Sequence, residues 1–169
     1  ADFSDRHLDL LLDEKIKPTR QLRKLLTPLG AEYGCIILDC PPSISLVSEA
    51  VFQAADALLV PVIPTTLSLR TLQQLVTFRA DQGLDKLHIL PFFSMVDRRK
   101  KLHQEIVADL PRQYPHMLTS EIPYASDVER MGVHRAPLGS YAGKSRATQA
   151  YAALWLEIRA RIEGRVAWE

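Results

Sequence analysis

The residues most suggestive of chemistry lie in one stretch, Tyr33-Gly34-Cys35-Ile36-Ile37-Leu38-Asp39-Cys40-Pro41-Pro42-Ser43. An unbroken apolar run leads into a carboxylate, and two prolines follow almost at once. Such a run reads as a short strand buried on both faces. Proline has no N–H and a fixed φ, so the strand must end and the chain must turn. In an open parallel sheet ligands bind beyond the carboxyl ends of the strands, so Asp39 is expected to face a ligand. An acid in that place suits Mg²⁺, often held through water, beside nucleotide phosphates. The competing reading is that Asp39 only caps the turn that follows.

A second acid, Asp97, also closes an apolar run, and four cations follow it: Arg98-Arg99-Lys100-Lys101. They fall where a helix should begin. That is an unfavourable place for positive charge, which suggests a reason other than helix stability. Contact with a polyanion would be such a reason and would be salt-sensitive; ordinary solvated surface is the alternative. No global field compels such a partner, because 21 Lys plus Arg nearly cancel 20 Asp plus Glu in the 169 residues. Cys35 and Cys40 would point to opposite faces of one strand and so should not pair. No Cys/His spacing suits a metal, and no apolar run approaches a membrane span.

Helices and strands alternate around these acids. Leu22, Leu25, Leu26 and Leu29 repeat with helical period from about Thr19. After the 35–38 run come a helix over about 46–55 and a strand over 57–63. A helix over 69–82 follows, with Gly83 as its stop. A strand over 87–96, a helix carrying Leu102, Ile106, Val107 and Leu110 and closed by Pro111, and a weaker strand over 118–122 continue the series. The last helix opens at Ser145, a plausible N-cap, with Ala147, Ala150, Tyr151, Leu154 and Ile158 on one side. This alternation predicts an α/β fold in one domain over 1–169, a mostly parallel sheet with helices on both faces.

Taken in order, these pieces resemble the ParA/MinD (Soj-like) family of deviant Walker A P-loop ATPases. Tyr33 through Ser43 is similar to the family's Walker B and switch II segment. Ala54-Ala55-Asp56 with 58–62 is similar to its next strand, Leu72-Gln73-Gln74-Leu75 to the following helix, and Met95-Val96-Asp97-Arg98 to its Met-Tyr-Asp-x-Arg strand end. Ile122-Pro123, Ala136-Pro137, and Ser145 with Ala150-Tyr151 also match, so the resemblance covers about residues 22–158. It implies a P-loop NTPase fold of the SIMIBI, ParA-like kind and an ATP hydrolase using ATP and Mg²⁺. Asp39 would hold the metal, and Pro41, Pro42 and Ser43 would form the γ-phosphate-sensing switch. Asp97, Pro123 and Tyr124 would lie near the adenine. The function implied is partition or positioning of cargo, as in plasmid or chromosome segregation, by a cytoplasmic, ATP-dependent homodimer. That dimer would bind non-specific DNA through Arg98, Arg99, Lys100, Lys101, Arg130, Arg135, Lys144 and Arg146, and a ParB-like or other cargo adaptor would be its partner. Tyr124 departs from the Arg that often follows the family's Ile-Pro pair.

The family's phosphate loop, Lys-Gly-Gly-x-Gly-Lys-Thr, has no counterpart before Asp39. The segment Gly139-Ser140-Tyr141-Ala142-Gly143-Lys144-Ser145 is a near miss, with three residues where a P-loop has four between its outer glycine and Gly-Lys-Ser. It also follows a polar, proline-broken stretch rather than a strand. The resemblance therefore implies that this is the C-terminal portion of the ATPase domain. Roughly a hundred further residues with the loop and two strands would precede it, at about 30 residues per βαβ unit. By itself the portion is expected to be inactive toward nucleotide. Two other functions remain to be weighed: a nucleotide-independent interaction module, and a MinD-like membrane-associated switch using the basic, apolar tail with Arg159, Arg161, Arg165 and Trp168. Glu157, Glu163 and Glu169 dilute that tail's charge, so a sheet-covering helix and no membrane contact are expected.

Overall fold

The computed structural model describes residues 18–40 and 46–164. Pro41, Pro42 and Ser43 lie outside the described residues, as do Arg165 and Trp168. In chain order the elements are α1 (Pro18–Glu32), α2 (Leu46–Ala54), β1 (Ala57–Val62), α3 (Thr66–Asp81), β2 (His88–Val96), α4 (Lys101–Gln113) and β3 (Glu121–Pro123); after short helical turns comes α5 (Arg146–Ile162). The strands lie in the order β1-β2-β3, with β2 and β3 parallel. The expected alternating α/β architecture is present.

The chain divides into two compact units, one of residues up to 58 with 83–87, the other of 59–82 and 88 onward. In the first, α1 packs on α2, whose Ser48, Ala50 and Val51 are buried. The leucine stripe of α1 splits: Leu22 and Leu26 are half-buried, whereas Leu25 is 70% exposed and Leu29 is exposed too. The buried strand expected over 35–38 does not form. Residues 35–40 join no ladder, Ile36 is exposed and Ile37 is 70% exposed. A strand exists only with a hydrogen-bonding neighbour, and none of the described residues supplies one here. Cys35 and Cys40 are both free thiols, as expected. Burial, and secondarily the neighbouring Asp39, pushes the Cys40 thiol up.

The second unit carries the core: Val62 of β1, Leu72 of α3, Phe93 and Val96 of β2, Ile106 and Leu110 of α4, and Met117. α3 opens at Thr65, whose hydroxyl accepts from the Ser68 N–H at 3.4 Å, and is followed by Gly83 at φ +62°, a left-handed position that suits glycine. Pro111 does not close α4 as expected; the helix runs on to Gln113. A proline so late removes only one intrahelical donor, and the turn is still closed by Tyr114 N–H to Leu110 O at 3.1 Å. The strand expected over 118–122 is observed at Glu121–Pro123. Its approach is partly paired, Leu118 N–H donating to Pro91 O at 2.8 Å, but Thr119 and Ser120 are taken by another partner described below. α5 is N-capped by Ser145 as expected, Oγ accepting from Thr148 N–H at 3.1 Å, and buries Ala147, Leu154 and Ile158.

Candidate functional site

Parallel pairing of β2 with β3 brings their carboxyl ends side by side, and the ladder extends one bond further, from Tyr124 N–H to Val96 O at 3.0 Å. The register is uneven. Phe93 faces Glu121 and Val96 faces Pro123, so β2 spends three residues where β3 spends two. The extra residue is a β-bulge, and Met95 within it adopts φ +55°. A left-handed methionine costs about 1–2 kcal/mol. Such strain concentrates where a chain is being re-aimed. Here it aims Val96 and Asp97 into a cleft of about 350 Å³ lined by Asp97, Arg98, Arg99, Glu121, Pro123, Tyr124, Arg146 and Ala150.

Ion pairs organise the cleft. Asp97 Oδ1 accepts from the Arg99 N–H at 3.0 Å and from Arg99 Nε at 2.9 Å, and Oδ2 accepts from the second guanidinium nitrogen at 2.9 Å. The Arg99 guanidinium, then its backbone N–H, hold the Asp97 carboxyl well below the usual carboxylate range. The same contact raises Arg99. Arg98 bridges to Glu121 of the neighbouring strand at 3.1 Å. Hydrogen bonding to Glu129, followed by that carboxylate's charge, raises the Tyr124 phenol. Arg146, in the first turn of α5, has no ion-pair partner among the described residues.

Beneath this surface lies His103, 4% exposed on the first turns of α4; its Nδ1 accepts from the Asp97 N–H at 3.1 Å. The adjacent Gln104 donates from Nε2 to Arg98 O at 2.6 Å. On the far side Glu157 of α5 accepts four hydrogen bonds, from the backbone and hydroxyl of Thr119 (2.6 and 3.1 Å) and of Ser120 (3.0 and 2.8 Å). It thereby ties α5 to the entry of β3.

Of the residues singled out by sequence, Asp97, Pro123, Tyr124, Arg98, Arg99 and Arg146 line this one cleft. Lys100 and Lys101 follow it into α4 and are exposed, Lys101 lying 3.7 Å from Glu105. Arg130, Arg135 and Lys144 are exposed in the segment between β3 and α5 and do not line the cleft. Asp39, in the other unit, is exposed and makes no hydrogen bond or ion pair among the described residues. The described residues contain no cluster of three metal-ligating side chains. The Gly139 to Ser145 segment forms one helical turn and the N-cap of α5 and does not follow a strand, as expected for a helix-capping loop.

Sequence reasoning missed Glu121, His103 and Glu157. The first two had a signal: Glu121 shares a strand face with Pro123, and His103 shares the helical stripe of Ile106 and Leu110. Glu157 had none, because its partners are 37 and 38 residues away.

Comparison with known proteins adds independent support. A family model described as an AAA domain matches residues 2–83. The chromosome-partitioning ATPase Soj of Treponema pallidum is 28% identical over 89% of this chain and 61% of its own length. A chromosome partitioning protein ParA of Myxococcus xanthus is 31% identical over 83% and 52%. The sporulation initiation inhibitor protein Soj of Bacillus subtilis is 26% identical over 83% and 57%. The chain thus spans between about half and two-thirds of these relatives' lengths. The crystal structure of cobyrinic acid a,c-diamide synthase from Mycobacterium smegmatis, with bound ADP and magnesium, superposes with TM-score 0.63 over 80% of this chain and 62% of that one. At 20% identity that likeness establishes the α/β P-loop fold alone.

Proposed function

Because the chain belongs to the ParA/MinD-like P-loop ATPases, we propose that it is the base-binding, C-terminal portion of an ATPase domain that partitions or positions cargo such as a plasmid or chromosome. The observation that carries this reading is the cleft at the paired carboxyl ends of β2 and β3. Its lining suits a nucleotide base: Pro123 and the exposed Tyr124 ring offer faces for stacking, and Asp97 Oδ2, which takes a single donor from Arg99, keeps acceptor capacity for an exocyclic amine. Asp39, exposed after its apolar run, is the residue that would hold Mg²⁺ through water. That ion would supply charge neutralisation at the phosphates. Pro41, Pro42 and Ser43 would form the switch.

In this reading ATP closes a cytoplasmic homodimer. The closed dimer then binds DNA non-specifically through Arg98, Arg99, Lys100, Lys101, Arg130, Arg135, Lys144 and Arg146, and a ParB-like or other cargo adaptor stimulates hydrolysis. Arg98 and Arg99 are already paired with Glu121 and Asp97, so Lys100, Arg146 and the three loop cations carry most of the free charge. No helix among the described residues is long and apolar enough to cross a membrane. The test is nucleotide titration of the full-length protein by calorimetry. The full-length protein is expected to bind MgATP, and Asp39→Ala to abolish hydrolysis while sparing the fold. A full-length protein that binds no nucleotide overturns the reading in favour of an interaction module.

A further inference from the structure

We propose that His103 is a positioning residue for the base end of the cleft, setting the turn that presents the Asp97 carboxylate. This inference rests on the nucleotide reading of that cleft.

The turn over 97–100 is closed locally by the Lys100 N–H donating to Asp97 O at 3.1 Å and by the Arg99 N–H donating to Asp97 Oδ1 at 3.0 Å. It follows a bulge with a left-handed Met95, and its cations are exposed. It is fixed from below by two consecutive side chains of α4. His103 Nδ1 takes the Asp97 N–H at 3.1 Å, and Gln104 Nε2 donates to Arg98 O at 2.6 Å. The two bonds have different settings. Gln104 is exposed, and water can replace it at a carbonyl; His103 is 4% exposed and Asp97 half-buried, so an Asp97 N–H that loses the imidazole is poorly placed to find water instead. The backbone at Asp97 is therefore anchored by a buried side chain, while the carboxylate reaches outward into the cleft, where Arg99 holds it by both oxygens. His103 never touches the cleft, as it is absent from its lining. It acts through Asp97. An imidazole there has a second consequence: the bond requires Nδ1 to carry no proton, so the ring serves as a rigid acceptor on a short stem.

The signature of such a role is selectivity for the part of a nucleotide that reaches Asp97. In the full-length protein, ATP and inorganic tripolyphosphate are titrated in parallel against wild type, Asp97→Ala, His103→Leu and His103→Asn. Asparagine can place an acceptor oxygen near the position of Nδ1; leucine fills the space and offers none. His103→Leu should weaken ATP about tenfold, the effect of one buried donor left unmatched, with tripolyphosphate binding unchanged and His103→Asn within about twofold of wild type for both ligands. Equal loss of ATP and tripolyphosphate in His103→Leu, or no loss of ATP in a folded His103→Leu while Asp97→Ala is impaired, overturns the role of His103. ATP binding unaffected by Asp97→Ala overturns the base reading of the cleft, and this inference with it. Should His103→Leu not fold, amide hydrogen exchange on the wild type decides: the Asp97 N–H should exchange far more slowly than those of Lys100 and Lys101, and exchange as fast as theirs overturns the proposal.

Discussion

Two acids in this chain follow apolar runs, yet they live in opposite circumstances. Asp97 leaves a strand that is paired along β3, and its carboxylate, backbone N–H and flanking turn are all engaged by named partners. Asp39 follows a run as apolar as β2, but that run forms no ladder, Ile37 stands open and the carboxylate is free among the described residues. The lesson is that an apolar run is only an offer of a strand. Whether it becomes one depends on a neighbour elsewhere in the chain, because hydrogen bonding in a sheet is never local. An acid at the end of a paired strand inherits a fixed direction; one after an unpaired run does not.

The comparison can be broken most forcefully in the packed unit. Leu72→Ala empties a site 1% exposed and should cost about 2–5 kcal/mol in urea unfolding, while Ile37→Ala should cost about 0.5 kcal/mol or less. Equal costs would mean that the 35–38 run is in fact buried. Asp39→Ala should lower hydrolysis by the full-length protein on the order of a hundredfold or more, the scale of losing metal-ion stabilisation, with its melting temperature unchanged. Glu157→Gln weakens a charge-assisted clasp and should destabilise by about 1–2 kcal/mol; a double cycle with Ser120→Ala should show the two sites coupled.

The smallest effect concerns acid. Arg99 depresses the Asp97 carboxyl in the folded state, so the pair contributes stability above the ordinary carboxylate pKa of about 4 and loses it as pH falls through the lower folded value. Arg99→Ala should therefore be slightly less stable than wild type at neutral pH, and the two unfolding curves should converge only well below pH ~4. The guanidinium is 84% exposed, so added salt should shrink the gap.

Much of this was legible beforehand, for definite reasons. β2, α3, α4 and α5 announce themselves through period and caps, and Ser145 and Gly83 act as their residue types predict. Asp97, Pro123 and Tyr124 could be placed at strand ends because their runs are apolar and their exits are marked. The bulge at Met95 was not legible, since methionine carries no left-handed preference and the uneven register belongs to the pairing with β3. The 35–38 run misled for the same reason in reverse, its apolar content describing a strand's interior without supplying its neighbour. The Arg98–Glu121 and Arg99–Asp97 pairs were hidden too; a run of four cations looks uniformly free until its acids are folded against it.

The Glu157 clasp also sets what can move. Pro123 and Tyr124 form one wall of the cleft, and Arg146 and Ala150 belong to another. The first wall is about 10 Å along the chain from Ser120, and the second about 10–16 Å along α5 from Glu157. Four hydrogen bonds join strand and helix at those far ends. Any spreading of the two walls by a ligand would therefore have to pivot about that clasp. Arg99, whose side chain is 84% exposed, is a lining residue that can adjust without disturbing that clasp.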